Sequence, residues 1–444
     1  MRIKILISAI VAAIAGFGWW IWAAWPDDAR LSVEAVSGTA PKITDPRPQY
    51  FPTINVAKRI GWADGAAPVA AKGLAVGAFA RGLNHPRWMY PLPNGDVLVA
   101  ETNSPPRKSN GITGLVMGYL LNRGGAGVAS ANRITLLRDA NGDGVAESRS
   151  VLIGGLNSPL GMALVGDTLY IANTDALVRV PFTIGQTVIT AKPQVVVRYP
   201  GGGNHWARNV IASADGSRLY VAIGSSSNIA DDGLEAEENR AAILEVDPAA
   251  KKFRIFAAGL RNPQGLAFDP RGGRLWTTVN ERDMLGSDLA PDYLTSVQLG
   301  DFFGWPYSYW GGYVDKRVQP ERPDLLGYTK RPDYALGPHT AALGLTFSNG
   351  AKLGPAFADG AFIGLHGSWN RKPASGYKVI YVPFGDSGLP VKGAKPVDVL
   401  TGFLDKKGMA QGRPVGVAID RTGALLVADD AGNSIWRVRA ALLH

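Results

Sequence analysis

The chain has 444 residues, of which 55 are glycine, 30 are proline, 19% are charged and none is cysteine. The lack of cysteine excludes disulfide bonds, thiolate metal sites and cysteine nucleophiles. Many glycines and prolines without a long helical period are typical of short strands joined by tight turns, so we expect one large all-β domain. The formal net charge is +9, but the basic residues are scattered and form no basic helix, so nucleic acid is not an expected partner.

The N-terminus predicts a targeting segment. Arg2 and Lys4 precede an uncharged run over residues 5–25, about the length that spans a bilayer as a helix. Four tryptophans cluster toward the end of this run, and Pro26 follows it. The pattern favours an uncleaved anchor over residues 1–26, with a cleaved signal peptide as the alternative. Because the positive end stays in the cytoplasm, we expect the rest of the chain at the periplasmic face of the inner membrane.

A weakly repeated pattern organises the rest of the chain. Each copy consists of an apolar strand, a tight turn and a second strand that ends in small or polar residues. The six copies begin near residues 82, 155, 204, 259, 343 and 412. Further alternating segments, such as residues 241–246, supply the remaining strands of each unit. The repeats predict a six-bladed β-propeller over residues 78–444, preceded by a tether over residues 27–77.

Two insertions are long enough to cover a site. Residues 104–131 are rich in glycine with an apolar centre, and residues 314–340 are rich in proline, arginine and aspartate. Long structured loops usually carry or cover a functional site. A surface hairpin or a second membrane contact explains the first insertion equally well.

His205 is the histidine with the clearest chemical context. It follows the glycine-rich stretch 201–203 and stands at the start of an inner strand. A propeller brings such positions to the mouth of its central channel, where an imidazole can act as a general base. The alternative is a structural histidine that bonds a neighbouring loop, and His85 and His366 occupy similar positions in their copies.

Arginines occupy the same positions in several copies. They are Arg87, Arg208, Arg261 and Arg413. Guanidinium groups that converge on one channel mouth repel one another unless an anion lies between them, and carboxylates or phosphates match their geometry. The alternative is local pairing of each arginine with Glu101, Glu281 or Asp429.

Two acidic loops offer oxygen ligands for a hard cation such as calcium. Residues 280–283 are followed by Asp288 and Asp292, a carboxylate-rich loop that matches no strict template. Residues 139–144 contain the first half of a calcium loop, but Ser150 stands where a bidentate glutamate is required, so a plain turn is the better interpretation. The sequence contains no serine-hydrolase elbow, P-loop, dinucleotide fingerprint or H-E-x-x-H motif.

Residues 261–268 read R-N-P-Q-G-L-A-F and, with the downstream G-W-P at residues 304–306, resemble the soluble quinoprotein sugar dehydrogenases. Residues 201–208, 241–247, 280–283 and 366–371 most resemble the sorbosone dehydrogenase branch of that family. The resemblance extends from about residue 82 to the C-terminus. It implies a six-bladed propeller that binds pyrroloquinoline quinone (PQQ) and calcium at its channel mouth. It also implies oxidation of an aldose-type sugar or sugar-derived aldehyde, with electrons passed to a quinone or a cytochrome.

The resemblance implies roles for individual residues. His205 matches the general base, Arg261 matches a catalytic contact to the quinone, and Arg413 matches an arginine that binds a cofactor carboxylate. The main-chain oxygens of Glu281 and Arg282 match calcium ligands. Further cofactor contacts are predicted for Arg208, Asn262, Gln264, Trp369 and Arg371.

Three positions depart from the family pattern. Ser225 replaces the acidic partner that orients the base, and Gln411 replaces a second cofactor arginine. Either Lys372 or Lys378 matches the cofactor lysine. The departures leave the pKa of His205, the strength of quinone binding and the identity of the sugar open.

Two other functions are compatible with a six-bladed propeller. A calcium-dependent lactonase requires acidic side chains that converge on the channel. A non-catalytic interaction module has an apolar or uniformly charged rim and does not need inward arginines. The arginines therefore favour the dehydrogenase.

Overall fold

The computed structural model describes residue 8 and residues 10–19, 27–106 and 111–441. Residues 10–19 are helical (α1). Within the described ranges, every helix is too short or too polar to cross a membrane. The predicted anchor over residues 5–25 falls partly outside the described residues.

Six sheets of mainly antiparallel strands form the body of the molecule, which confirms the predicted six-bladed propeller. Three strands precede the first blade: β1 (Ser37–Gly38), β2 (Val69–Ala70) and β3 (Leu74–Arg81). Blade one contains β4 (Pro86–Pro91), β5 (Val97–Glu101), β6 (Arg133–Arg138) and β7 (Ser148–Ile153). Blade two contains β8 (Met162–Val165), β9 (Thr168–Ala172), β10 (Ala176–Pro181) and β11 (Gln194–Arg198). Blade three contains β12 (Arg208–Ala212), β13 (Leu219–Ile223), β14 (Ala242–Asp247) and β15 (Lys252–Ala258).

The last three blades carry the longer connections. Blade four contains β16 (Pro263–Phe268), β17 (Leu275–Val279), β18 (Pro291–Val297) and β22 (Tyr334–Pro338). Blade five contains β23 (Ala342–Phe347), β24 (Gly360–Leu365), β25 (Lys378–Pro383) and β26 (Val397–Thr401). Blade six contains β27 (Pro414–Ile419), β28 (Leu425–Asp429) and β29 (Ser434–Ala440). The short strands β19 (Asp301–Phe302), β20 (Ser308–Tyr309) and β21 (Tyr313–Val314) lie in the connection within blade four.

The ring is closed by strands from both ends of the propeller sequence. β3 pairs antiparallel with β29, from Arg81 opposite Ser434 to Leu74 opposite Ala440. It begins four residues inside the segment predicted as a tether. β1 and β2 from the same segment add fifth strands to blades four and five.

Each blade packs its apolar faces against its neighbours. The buried apolar side chains form six clusters, and each cluster lies between two adjacent blades. Leu98 of blade one and Leu169 of blade two, for example, meet in one cluster and are fully buried. Burial of such a side chain contributes about 1.5–3 kcal/mol, so the ring of interfaces is the core.

Glycines allow the inner strands to approach one another around the channel. A Cβ on Gly265 of blade four would lie 2.6 Å from Cβ of Leu345 in blade five. A Cβ on Gly344 of blade five would lie 2.2 Å from the main-chain oxygen of Val415 in blade six. The glycine of the R-N-P-Q-G stretch is therefore required by packing between blades.

The two insertions form irregular structure with short helices. The first contains the helix α2 (Gly111–Gly124), so its centre is not the surface hairpin that the sequence also allowed. The second contains the short helix α3 (Pro323–Leu326) before β22. Single 3₁₀ turns occur at Glu34–Val36, Leu234–Glu237 and Pro355–Phe357.

Candidate active site

A cavity of about 490 Å³ opens at one end of the channel. Its wall is built from residues at the starts of inner strands and at the ends of second strands. The first group includes Arg87, His205, Arg261 and Arg413; the second includes Asn228, Asn280, Asp283 and His366. Helix α2 adds an apolar side with Met117, Leu120 and Leu121. The predicted contacts Asn262, Gln264 and Trp369 also line the cavity.

His205 lies in the loop before β12, and its imidazole contacts the loop that follows β13. Nδ1 lies 2.9 Å from the main-chain oxygen of Ser225 and 3.0 Å from its Oγ. The Ser225 hydroxyl donates its own proton to the main-chain oxygen of Ser227 at 2.7 Å, so both Ser225 oxygens accept from the imidazole. Nδ1 therefore carries the proton, and Nε2 is the proton-accepting atom.

The surroundings of His205 keep its ring neutral. Burial, and next the positive charge of Arg261, lower the pKa of His205 to about 3. The imidazole is consequently uncharged at neutral pH. A neutral ring whose Nε2 can accept a proton is the state that a general base requires.

A glycine allows His205 and Asn262 to pack together. A Cβ on Gly224 would lie 2.6 Å from Cβ of His205 and 2.3 Å from Oδ1 of Asn262, so no other residue fits there without displacement. The amide nitrogen of Gln264 donates to Oδ1 of Asn262 at 3.0 Å. Asn262 is thus held with a defined amide orientation at the cavity wall.

Arg261 is buried and joins three loops of the cavity wall. Its Nη1 donates to the main-chain oxygen of Glu281 at 2.6 Å, and its Nη2 donates to Oδ1 of Asn228 at 2.9 Å. The carboxylate of Asp283 lies 3.5 Å from Nη2. These partners fix the guanidinium in place and compensate part of the cost of burying its charge.

Asp283 carries a negative charge into the cavity. Burial alone would raise the pKa of Asp283, but hydrogen bonding to His339 and the charge of Arg261 lower it to about 2. The Asn370 amide also donates to Oδ1 of Asp283 at 2.7 Å. Asp283 is therefore ionised throughout the physiological pH range.

Glu281 and Arg282, whose main-chain oxygens are the predicted calcium ligands, lie behind the cavity wall. Their side chains are buried and joined by a hydrogen bond of 3.0 Å from Nε of Arg282 to Oε2 of Glu281. Among the described residues, Oε1 of Glu281 has no hydrogen-bond partner. The main-chain oxygen of Glu281 has a second lone pair beyond its bond to Arg261. Such an oxygen-rich corner suits a hard cation.

Arg413 presents a positive charge at the opposite side of the cavity. Its Nε donates to the main-chain oxygen of His366 at 3.1 Å, and its Nη2 donates to that of Gly367 at 2.7 Å. The guanidinium lies 5.3 Å from the ring centre of Tyr377. Its bonding partners in the described part of the chain are neutral, so its charge is not matched by an acid there.

Asp430, in blade six, contacts basic side chains of blades one and five. Its carboxylate lies 2.5 Å from Nη1 of Arg87, 2.9 Å from Nε2 of His366 and 3.4 Å from Nε2 of His85. Burial alone would raise the pKa of Asp430, but the two imidazoles and Arg87 hold it below its ordinary value. Arg87 is thereby positioned at the cavity, with its guanidinium 5.6 Å from the ring centre of Trp206.

Two arginines that were predicted to contact a cofactor, Arg208 and Arg371, are not among the residues that line the cavity. Arg208 is fully buried and donates Nη1 to the main-chain oxygen of His205 at 2.7 Å. Arg371 donates to the main-chain oxygens of Ser287 and Leu31, both at 2.9 Å. Main-chain carbonyls accept from both guanidinium groups, although Nε of Arg208 has no hydrogen-bond partner among the described residues. Each arginine therefore secures a loop.

The alternative cofactor residues are also placed elsewhere. Lys372 lies 3.4 Å from Asp28, and Lys378 lies 2.7 Å from Asp398. Gln411 donates its side-chain amide to a main-chain oxygen at 2.9 Å. The cavity lining includes neither lysine and not Gln411.

The sequence also allowed each arginine to pair locally with Glu101, Glu281 or Asp429, and the structure shows different pairs. Glu101 pairs with Arg133 at 2.9 Å rather than with Arg87. Asp429 accepts the main-chain N–H of Arg413 at 2.7 Å. Asp430 was not predicted as a site residue, and its place directly after the second strand β28 was the available signal.

The acidic turn in blade one lies at the other end of the propeller. Oxygens of Asp139, Asp143 and Glu147 lie within 4.8 Å of one another. Asp139 accepts the main-chain N–H groups of Gly142 at 2.7 Å and Gly144 at 2.9 Å, as in an ordinary turn. The turn is remote from the cavity and plays no part in its chemistry.

Comparisons with known proteins give a consistent family. A model of the TrAA12-like family matches residues 68–292 and 326–441. A pyrroloquinoline quinone-dependent pyranose dehydrogenase of Coprinopsis cinerea is 27% identical over 293 residues, 53% of this chain and 39% of that sequence. The alignment therefore spans less than half of that relative.

Solved structures share the fold. The holo form of the PQQ domain of pyranose dehydrogenase from Coprinopsis cinerea has a TM-score of 0.67 at 22% identity, covering 84% of this chain and 97% of that one. A calcium structure of Trichoderma reesei Carbohydrate-Active Enzymes Family AA12 has a TM-score of 0.68 at 19% identity, covering 88% and 99%.

Proposed function

Because the chain belongs to the TrAA12-like family, we propose that it is a quinoprotein dehydrogenase that uses PQQ and Ca²⁺. Its substrate is an aldose-type sugar or a sugar-derived aldehyde. The PQQ-dependent activity named for the Coprinopsis cinerea relative and the calcium in the Trichoderma reesei structure support both cofactors. The sorbosone-type specificity remains a prediction from the sequence motifs.

The observation that carries the proposal is the state of His205. Its Nδ1–H is committed to Ser225, and its neutral Nε2 is the proton acceptor in a cavity that also holds Arg261. In the proposed reaction, Nε2 takes the proton of the substrate hydroxyl while that carbon is oxidised. PQQ, when bound, supplies the two-electron acceptor.

The residues of the cavity fit a planar tricarboxylate. Among the described residues, the guanidinium of Arg413 donates only to main-chain oxygens, and Nε of Arg87 is buried without a hydrogen-bond partner. These two arginines would hold carboxylates, because a guanidinium binds a carboxylate through paired hydrogen bonds. Arg261 and Asn262 would hold the quinone edge beside His205. The cavity volume lies within the range of ordinary ligand pockets.

Calcium would bind at the main-chain oxygens of Glu281 and Arg282. The partnerless Oε1 of Glu281 and the ionised carboxylate of Asp283 supply negative charge close to that position. Main-chain carbonyls and carboxylates are preferred calcium ligands.

The cavity disfavours a lactonase. Asp283 is the only carboxylate among the described residues that line it, whereas a lactonase needs several acids on its metal. The arginines that line the cavity also argue against a non-catalytic interaction module, because such a module does not need arginines at its channel.

The location and the electron acceptor are further parts of the proposal. An anchor over residues 5–25 holds the propeller at the periplasmic face of the inner membrane, and a membrane quinone or a cytochrome takes the electrons. The uncharged run after Arg2 and Lys4 supports this arrangement.

Substitution of the base tests the proposed function. We expect His205→Ala to lower turnover of sugars or aldehydes with an artificial acceptor dye by about 10²–10⁴-fold, the usual contribution of a general base. PQQ binding, measured by equilibrium titration of the apoprotein, is expected to persist. His205→Gln is the matched control, since its amide can still donate to Ser225 but cannot accept the proton. Normal turnover in either variant would refute the assignment.

A further inference from the structure

Helix α2 is apolar on both of its faces. Met117, Leu120 and Leu121 face the cavity. On the outward side, Leu115 is 76% exposed and Tyr119 is 64% exposed. A helix without a polar face is normally covered on all sides, so the outward face of α2 requires an apolar partner.

The chain that follows the predicted anchor is tied to the same rim as α2. Nε of Arg123, in the last turn of α2, donates to the main-chain oxygen of Val56 at 3.1 Å. The main-chain N–H of Arg59 donates to the main-chain oxygen of Arg123 at 2.9 Å. Val56 itself lines the cavity. The helix is thus fixed at the mouth by the segment that leads away from the N-terminus.

The first residue after the anchor is also fixed at this rim. The Ser287 hydroxyl donates to the main-chain oxygen of Asp27 at 2.6 Å, and the Ser287 main-chain N–H donates to Oδ1 of Asp27 at 3.1 Å. Nearby, the main-chain N–H of Gln49 donates to the oxygen of Met284, a cavity residue, at 3.1 Å. The uncharged run of residues 5–25 therefore ends two residues before Asp27 in the chain.

We infer that the outward face of α2 docks on a lipid bilayer, with the cavity mouth turned toward the membrane. Two extended residues span at most about 7 Å, so a bilayer that holds residues 5–25 begins close to Asp27. Interfacial helices bury their apolar face by about 5–10 Å, and Leu115 and Tyr119 are the exposed side chains of α2 that would enter the bilayer. Tyrosine is itself enriched at membrane interfaces. Arg123 and Lys58 are exposed beside the helix and suit anionic headgroups.

The inference extends the membrane attachment proposed above and assigns an orientation to it. The cavity then opens onto the membrane surface, where a lipid-soluble acceptor is concentrated. A sugar has to enter laterally, between the rim and the headgroups.

Site-specific fluorescence tests the orientation, and the lack of native cysteine makes the labelling unambiguous. Leu115→Cys carries a polarity-sensitive nitrobenzoxadiazole label on the full chain. The chain is reconstituted in vesicles of phosphatidylethanolamine and phosphatidylglycerol, with and without nitroxide lipids as quenchers. Ala250→Cys is the matched control, because it is exposed in the turn between β14 and β15 at the opposite end of the propeller.

If α2 docks on the bilayer, the fluorescence emission of the label at position 115 is expected to shift to the blue. Nitroxide lipids are also expected to quench this label several-fold more strongly than the label at position 250. Equal, weak quenching at both positions in vesicle-bound chain would overturn the inference. A blue shift that needs no lipid and grows with protein concentration would also overturn it, in favour of a second copy of the chain on α2. Dye-linked sugar oxidation by the same samples reports separately on the proposed function, so that either proposal can fail while the other stands.

Discussion

His205, the proposed general base, lacks the acidic partner that the sequence resemblance leads one to expect. Ser225 offers two neutral acceptors to Nδ1, which fixes the tautomer but adds no negative charge. Burial and Arg261 then favour the neutral ring. The site thus gains a proton acceptor that is ready at neutral pH, at the cost of lower basicity.

This arrangement predicts an unusual pH dependence. An imidazole loses its ability to accept a proton when pH falls below its pKa, and the pKa of His205 is lowered to about 3. We therefore expect kcat/KM to show no loss from His205 between about pH 8 and pH 5, whereas an ordinary histidine would cause one near 6.5. The measurement is kcat/KM against pH with a dye whose reduction is itself independent of pH. A loss of kcat/KM centred near pH 6.5 would show that burial and Arg261 do not lower the pKa of His205.

The unmatched charge of Arg413 makes a prediction about cofactor affinity. Arg413→Met removes a charge-assisted hydrogen bond of about 1.5–3 kcal/mol, so PQQ binding is expected to weaken by roughly 10–100-fold. Equilibrium titration of the apoprotein measures it. Arg421→Met is the matched control, because Arg421 is exposed in a turn at the other end of the propeller. Equal affinity in the two variants would show that Arg413 does not bind the cofactor.

The residues of the cavity were predictable from the sequence only in part. Arg261, Asn262 and Arg413 are marked by their places in a repeat, and the structure does bring them to one cavity. Arg208 has a similar place but points into the blade, because the sequence does not determine the direction of a buried side chain. The role of Asp430 depends on contacts across three blades, which no local pattern reports.

At the scale of elements, the inner strands are defined by the glycines at which they meet. Gly344 faces a main-chain oxygen of the next blade, which cannot move aside as a side chain can. Helix α2 was harder to foresee, because Gly114 and Gly118 lower helix propensity and the apolar centre also suits a strand. In the structure this segment is a helix, and three of its apolar side chains line the cavity.

The close packing of the inner strands predicts that one added methyl group destabilises the fold. Gly344→Ala is expected to reduce the free energy of unfolding by about 1–3 kcal/mol, the usual cost of overpacking. Chemical denaturation followed by tryptophan fluorescence measures it. Gly154→Ala is the matched control, since its Cβ would meet nothing closer than 4.0 Å. Similar stability of both variants would refute the role of glycine between blades.

At the scale of the whole molecule, the six blades and their closure around a channel follow from the repeats, and the resemblance to quinoprotein sugar dehydrogenases is confirmed at the level of the family. The fifth strands β1 and β2 were not foreseen. Each consists of two residues, too few to show a period, and pairs with a strand remote in sequence.

Cofactor binding at a junction of several blades predicts stabilisation of the whole ring. A ligand at a hundred times its Kd stabilises the folded state by about 2.7 kcal/mol, so PQQ with Ca²⁺ is expected to raise Tm by a few degrees. Differential scanning calorimetry measures the shift. Replacement of Ca²⁺ by Mg²⁺ is the control. Mg²⁺ requires shorter metal–oxygen distances and near-octahedral coordination, so it is expected to raise Tm by less than Ca²⁺ does. An unchanged Tm at saturating PQQ and Ca²⁺ would contradict the proposed site.

The pairing of β3 with β29 also governs how the protein matures. Ser434 cannot pair with Arg81 until the preceding five blades have been synthesised, so blade six forms last. Until then the chain is an open arc with two bare strand edges, and such edges invite pairing with other chains. Non-local closure of this kind is slow. Assembly is consequently most vulnerable to aggregation just before the ring closes, and molecular chaperones would matter most at that moment.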